Sequence, residues 1–350
     1  MMSEGASVTA AMVATQFLEM GNNTLMKSAT NDGMSIFIFT FYSNLLALCF
    51  LLPSTLFYNR KRAPPPISTS IFFRMLLLSC LSTTVQTLMY TGIGYSSPTL
   101  SSAMVDLVPA FTFILAVISR MENLNLKQHS SQAKIIGTVV SIVGALIVTL
   151  YKGLPVISNS FPNIEMGASG IYLAGTSKWI IGAFLLATAS FCLSILYIVQ
   201  TWIIREYPEE LVVTTITCGL VVILSAIVAL FAEGNSNVWV LRHDKELVAV
   251  CFSAIFVVSM RSVICTWAFR KKGPIYVAMF NPLGMVIALG MGVIFLGDNL
   301  YLGSMIGAAI IAIGFYAVMW AQAQEEHKTS ENSFLPSSSA PLLSTKNIDI

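Results

Sequence analysis

Six stretches of the chain run uncharged for longer than a membrane is thick: Met34–Tyr58, Met75–Val105, Trp179–Ile204, Leu211–Ala232, Gly273–Gly297 and Asn299–Gln324. Each exceeds the roughly 20 residues that cross a ~30 Å hydrocarbon core as a helix. A helix of a soluble domain keeps a polar face, and these stretches have none. Only 10% of the 350 residues are charged and 55% are hydrophobic, where a soluble domain carries roughly 25% charge. The expected fold class is an all-α membrane protein in permanent contact with the lipid bilayer.

Hydropathy divides the chain into ten spans, at about 8–28, 34–58, 71–94, 98–119, 133–151, 178–204, 211–232, 246–269, 274–296 and 300–321. With the N-terminus in the cytosol, the cytosolic connections hold ten basic residues: Arg60, Lys61, Arg62, Arg120, Lys127, Lys134, Arg205, Arg270, Lys271 and Lys272. The opposite side holds five: Lys27, Lys152, Lys178, Arg242 and Lys245. Lys and Arg gather on the cytosolic side of membrane proteins, so both termini are expected there. The first span is expected to be retained, because Glu4 stands where a cleaved signal peptide carries basic residues. Residues 1–7 form a short cytosolic N-terminus, and the Ser/Pro-rich residues 322–350 read as a disordered cytosolic tail. Leu342-Leu343 is a candidate sorting signal that lacks the usual upstream acid.

The chain also repeats itself. PTLSSAM at 98–104, MENL at 121–124, Gly137 and Gly144 are answered by PIYVAM at 274–279, GDNL at 297–300, Gly307 and Gly314. Pro109 and Pro282 stand inside the matching apolar runs, three residues out of step. Repeats of this length define architecture before any local feature does. Residues 152–177, rich in Gly, Ser, Asn and Pro, separate a first unit at 8–151 from a second at 178–321. Each unit has five spans, an odd number, so the second enters the membrane from the opposite side. The result is an inverted-topology repeat, the plan on which many secondary transporters are built.

Charge at mid-membrane costs roughly 2.5–3.5 kcal/mol on insertion scales, so it needs a partner, a wet cavity or a function. Three charged residues sit deep in spans: Glu19, Asp106 and Arg261. Gln16, Glu19, Asn23 and Lys27 follow at spacings that put them on one helix face. That face suits a cavity whose Glu19 carboxylate takes a substrate ammonium or a proton, or else a hydrogen-bonded seam between helices. Asp106 lies three residues before Pro109, and Asn281 immediately before Pro282. Proline frees a carbonyl and bends a span, so both prolines are candidate helix breaks. Arg261 has three possible partners: Asp106, Glu19 or a substrate carboxylate held bidentately. The candidate substrate-binding set is Glu19, Asn23, Lys27, Asp106, Arg261 and Asn281. Asn44, Gln86, Gln200, Thr83-Thr84 and Thr214-Thr215 read as interhelical glue, and Gly137, Gly144, Gly303, Gly307 and Gly314 as close-packing positions.

Other chemistries find no foothold. All six cysteines lie in apolar runs without CxxC spacing, and the three histidines lie in polar connections. Neither a disulfide framework nor a metal site is expected. No catalytic or nucleotide-binding motif is present, so no enzyme and no cofactor is expected. The net charge of +2 is spread over short loops and implies no nucleic acid partner. Oligomeric state is left open.

The stretches SSPTLSSAM, LVPAFTFILAVISRMENL, AKIIGTVVSIVGALIVTLYKG, KKGPIYVAMFNPL and IFLGDNLYLGSMIGAAIIAIGFYAVMWA resemble the plant drug/metabolite exporters. These nodulin-like, EamA-domain transporters include the UMAMIT amino-acid carriers and the Walls-Are-Thin auxin transporter. The resemblance runs from about residue 10 to 325. It implies ten helices in two EamA repeats and movement of amino acids, auxin or related metabolites, in the plasma membrane or, alternatively, the vacuolar membrane. Lys27 matches the family's span-1 lysine, which implies a pore-side position. Two residues depart from the family pattern: Asp106 replaces a common Asn, and Tyr42-Ser43 replaces a Tyr-Arg pair. The expectation is a secondary transporter, passive or proton-coupled, for small organic metabolites and above all amino acids. Nucleotide-sugar or sugar-phosphate transport would call for more cavity cations than Arg261 and Lys27. A non-transporting receptor or scaffold would call for a folded soluble module.

Overall fold

The computed structural model describes residues 2–31, 33–60, 65–95, 104–121, 128–151, 155–157, 176–233, 239, 245–291 and 300–334. Lys61, Arg62, Pro98, Glu122, Lys127, Lys152, Arg242, Asp298, most of the 152–177 connection and Leu342-Leu343 lie outside them.

The first half of the chain forms α1 (Met2–Asn31), α2 (Ile36–Asn59), α3 (Thr69–Tyr95), α4 (Val108–Ile118) and α5 (His129–Leu150). The second half forms α6 (Thr176–Glu206) and α7 (Glu210–Ala232). A continuous helix α8 follows, built of Lys245–Phe252, a π-helical Ser253–Arg261 and Ser262–Lys272. Then come α9, in two pieces (Pro274–Ala278 and Phe280–Met291), and α10 (Leu302–Phe334). Two short strands, β1 (Pro155–Ile157) and β2 (Leu300–Tyr301), pair antiparallel, Pro155 opposite Tyr301 and Ile157 opposite Leu300.

Among the described residues, seven helices are long and apolar enough to cross a membrane: Ile36–Asn59, Thr69–Met89, His129–Val148, Ile180–Glu206, Glu210–Ala232, Glu246–Lys272 and Leu302–Glu325. Val108–Ile118 and Pro274–Ile287 are apolar but shorter. α1 has the length, but its polar stripe keeps it out of that set. Large side chains point outward uncovered, among them Phe57, Phe184, Phe231 and Tyr316. That is the reverse of a soluble surface and suits a lipid solvent.

The fourth and ninth spans are interrupted next to the two prolines singled out as candidate breaks: a turn at Asp106 and Leu107 precedes α4, and a turn at Met279 divides α9. Each break falls just upstream of a proline, where the missing N–H leaves a carbonyl unbonded. Pro109 itself sits in the first turn of α4, a position proline suits. The tenth span starts as strand at 300–301 and as helix only at Leu302. Finally, residues 322–334 of the presumed tail continue α10. Ala, Gln, Glu and Lys there are good helix formers. Two bonds anchor the extension: Lys134 Nζ to Glu325 at 2.5 Å, and Gln322 Nε2 donating to the Lys272 carbonyl at 2.7 Å.

The packing is two-fold in character. α5 lies along α10, α2 along α7 and α4 against the start of α9, each pair joining equivalent helices of the two repeats. The cross pairs match as well: α3 packs on α6 as α8 packs on α1, and α4 on α6 as α9 on α1. Along α5 and α10 the glycines interlock crosswise. A Cβ on Gly137 would stand 2.8 Å from the Gly314 carbonyl, and one on Gly144 2.9 Å from that of Gly307. Only glycine permits such backbone approach.

Candidate functional site

α1 brings its polar face to α8 and the second half of α9. Gln16 is buried, Glu19 partly buried and Asn23 exposed, so the stripe opens as α1 runs away from its N-terminus. Lys27 lies in the last turns of α1, with its side chain outside the described residues. Gln16 fits because residue 284 is glycine: a Cβ there would meet its Oε1 at 2.6 Å.

Glu19 and Arg261 form an ion pair, Oε2 to Nη2, at 2.8 Å. Of the two carboxylates offered as partners for Arg261, it is Glu19 that pairs with it. The side chains keep 27% and 22% of their exposure, so the pair borders open space instead of lying in a dry seam. Arg261 ends the π-helical segment. The wider turn shows in Ser259 Oγ, which donates to the Ala254 carbonyl five residues back at 2.7 Å. π-helical turns are rare and recur at functional sites.

Two donors in this neighbourhood have no acceptor among the described residues: Arg261 Nε and Asn281 Nδ2. Tyr197 and Cys265 stand beside Arg261, and Asn281 approaches Tyr197. Toward the chain termini the space is filled. Met12, Phe269, Tyr276 and Phe280 are buried in one cluster with Tyr197. Tyr197 stacks obliquely on Phe269 with ring centroids 5.2 Å apart, and Thr9 bonds the Tyr276 hydroxyl at 2.8 Å. The pair thus has a packed floor on one side and the exposed Asn23 on the other.

Asp106 does not join this group. It is 2% exposed, at the break before α4, and its Oδ2 has no partner among the described residues. α5, α6 and α9, the elements packed most closely on α4, carry no charged residue over 135–150, 179–204 or 274–291. Its positional counterpart is also not Asn281. Relative to the prolines, the break residue is Asp106 in the first repeat and Met279 in the second.

The polar singletons form interhelical bonds elsewhere. Gln200 Nε2 donates to Thr266 Oγ1 at 2.9 Å, Thr214 bonds Thr266 at 3.3 Å, and Thr55 bonds Thr215 at 2.6 Å. Sequence reasoning passed over Tyr197, Cys265 and Gly284. An aromatic hydroxyl in an uncharged run was a usable signal for Tyr197, while Gly284 is meaningful only once Gln16 is seen facing it.

The structure is a helical bundle of two repeats packed in pseudo-two-fold fashion, with an ion pair between α1 of one and α8 of the other. Residues 10–150 and 180–320 each match the EamA-like transporter family, and the chain belongs to that family. It is 47% identical to one WAT1-related protein of Arabidopsis thaliana, over 90% of this chain and 85% of that one. A second WAT1-related protein of Arabidopsis thaliana is 42% identical over 97% of this chain and 92% of its own length. A solved crystal structure superposes with a TM-score of 0.69 over 92% of this chain and 99% of that one. At 14% identity, that likeness concerns the fold alone.

Proposed function

We propose that this membrane transporter carries amphoteric small organic metabolites, amino acids foremost, by alternating access of its two five-span repeats. The reading includes both short apolar helices and α1 as spans, making ten, with both termini cytosolic and the plasma membrane as its location. The observation that carries it is the Glu19–Arg261 pair beside two unsatisfied donors.

An ion pair deep in a membrane is already neutral. A ligand that separates it must leave neither charge unpaired, because an unpaired buried charge is far costlier than the pair. A zwitterion meets that condition. Its ammonium takes the Glu19 carboxylate, and its carboxylate takes Arg261, with Arg261 Nε and Asn281 Nδ2 as further donors. A monocarboxylate such as auxin satisfies Arg261 but strands Glu19, and a phosphate ester demands more cations than the site holds. The filled floor and exposed Asn23 suit a state open toward the side opposite the termini. Rocking of the repeats would exchange floor and mouth.

Asp106 is the group we assign to proton coupling. With no countercharge on its packed neighbours, it reaches neutrality by taking a proton, as buried carboxyl groups do.

The test is uptake and efflux of radiolabelled amino acids in vesicles, with and without a pH gradient, for the native protein and Glu19→Gln and Asp106→Asn variants. Loss of zwitterion flux in Glu19→Gln and loss of gradient stimulation in Asp106→Asn support the assignment. Normal transport by both variants at every pH removes them from the mechanism.

A further inference from the structure

A second site lies far from the ion pair. A cleft of about 410 Å³ opens between the first turns of α3 and the last turn of α6, lined by Arg74, Trp202, Arg205 and Glu206. That volume is within the roughly 300–1,000 Å³ of small-ligand pockets. Three of its four lining residues are charged, while much of the exposed wall is apolar. Phe72 and Phe73, next to Arg74, are 43% and 61% exposed and belong to the lipid-facing side.

The charges do not cancel. Arg74 is paired with Glu206, and both stay partly exposed, at 39% and 47% of their side chains. Arg205 is exposed and has no carboxylate within ion-pair distance among the described residues. Arg74 takes the one carboxylate of the cleft, which leaves the Arg205 charge unpaired. Trp202 is 48% exposed one turn earlier on the same face of α6. Indole rings favour the depth where hydrocarbon meets headgroups.

Simpler roles do not account for the group. A topology signal needs charge but no cleft. Interaction with a helix C-terminus suits Arg205, yet Arg74 lies near the start of its helix. Guanidinium forks match phosphate oxygens bidentately, and basic pockets between spans on the cytoplasmic side suit anionic headgroups.

We infer that this cleft is a headgroup site for an anionic, phosphate-bearing lipid of the adjoining leaflet. Arg205 and Arg74 clamp the phosphate, and Trp202 packs on the glycerol and upper acyl carbons. Glu206 holds Arg74 in place when the cleft is empty and competes with the lipid when it is filled. The site does not depend on which substrate the central pair carries.

The test uses the full-length protein in nanodiscs of phosphatidylcholine doped with a phosphatidylinositol phosphate. Bound lipid is read by native mass spectrometry. The native protein is expected to retain the phosphorylated lipid at least tenfold over phosphatidylcholine. Arg205→Gln should lower that retention about tenfold, and Glu206→Gln should raise it several-fold. The second variant keeps the test decisive even if loss of an arginine harms folding. Free inositol phosphate at matched concentration should displace little, because it lacks the chain that Trp202 covers. Equal retention of both lipids by the native protein would overturn the site. So would unchanged retention in Glu206→Gln, or binding of free inositol phosphate as tight as that of the lipid.

Discussion

The two repeats make two contacts that should be alike, and they are not. Where α8 packs on α1, the interface is polar, partly open and shaped by a π-helical segment. Its mate, where α3 packs on α6, carries its charges only at the Arg74–Glu206 end and is tightly closed at the other. There Gly92 lies so close to α6 that a Cβ would meet Leu186 Cγ at 2.7 Å and the Gly182 carbonyl at 3.3 Å. α3 carries an ordinary α-helix throughout. The same packing scheme therefore serves as a tight joint around Gly92 in one place and as a charged opening around Glu19 in the other. Symmetry supplies two equivalent halves that can exchange roles of floor and mouth, and its local breaking supplies the binding chemistry.

The largest effect should come from breaking the polar contact itself. Arg261→Gln leaves Glu19 without a countercharge at mid-membrane. Zwitterion flux in vesicles should fall at least a hundredfold, and stability in detergent by about 2 kcal/mol. That is less than the roughly 3–5 kcal/mol of a fully buried pair, because both side chains keep about a quarter of their exposure. The exchanged double variant, Glu19→Arg with Arg261→Glu, restores neutrality but reverses polarity. It should recover most of the stability and little of the transport. Recovery of both would mean that the pair only holds the helices together.

Next come the glycines that make the two-fold joint of α5 and α10. Gly137→Ala and Gly314→Ala push against each other's carbonyls, from 2.8 and 2.6 Å. Each should cost about 2 kcal/mol, in the range of overpacked cores, measured as thermal stability in detergent. Their near-equal effect is the symmetric expectation. Gly219→Ala, whose nearest neighbour is Leu48 at 3.8 Å, serves as the harmless control. Unequal losses at 137 and 314 would show that the repeats do not share strain evenly.

Much of this was legible in the chain. Uncharged runs and the recurrence of the stretches at Pro98 and Pro274 lead to the helical class and the two-repeat plan. Scarcity of charge leads to Glu19 and Arg261. The choice between Glu19 and Asp106 as Arg261's partner was not legible, because both carboxylates lie at similar depth and hydropathy does not fix helix rotation. Nor was the π-helical segment: Ser253–Arg261 contains neither proline nor glycine, and its widened turn depends on what packs around it. Asn281 invited comparison with Asp106 through the nearby prolines, but only backbone geometry reveals that Met279 occupies the equivalent break. The extension of α10 past residue 321 rests on Lys134 and Lys272, contacts distant in sequence.

A third test asks whether the unequal break residues matter. Asp106→Asn keeps the shape and removes the titrating group. Stimulation of flux by a pH gradient should disappear, while exchange of substrate across the membrane without a gradient stays within about twofold of native. Met279→Leu at the mirrored break should change neither. If Asp106→Asn still responds to the gradient, Glu19 is the only carboxylate of the mid-membrane trio left to carry the coupling.

The smallest effect separates polarity from function on a single helix. Thr266 lies on α8 five residues beyond Arg261 and is fully buried, bonded to Gln200 and Thr214. Thr266 is polar but closed, with no exposure of its own through which a substrate could reach its hydroxyl. Thr266→Val keeps the side-chain shape and removes those bonds. Interhelical hydrogen bonds inside membranes average about 0.6 kcal/mol, so the loss should be on the order of 1 kcal/mol in a detergent melt, with flux unchanged. If openness at the α1–α8 contact is what makes chemistry there, then Thr266 belongs with the tight joint around Gly92 despite its hydroxyl. A fall in flux as deep as that of Arg261→Gln would instead make the whole polar face of α8 part of the carrier's path.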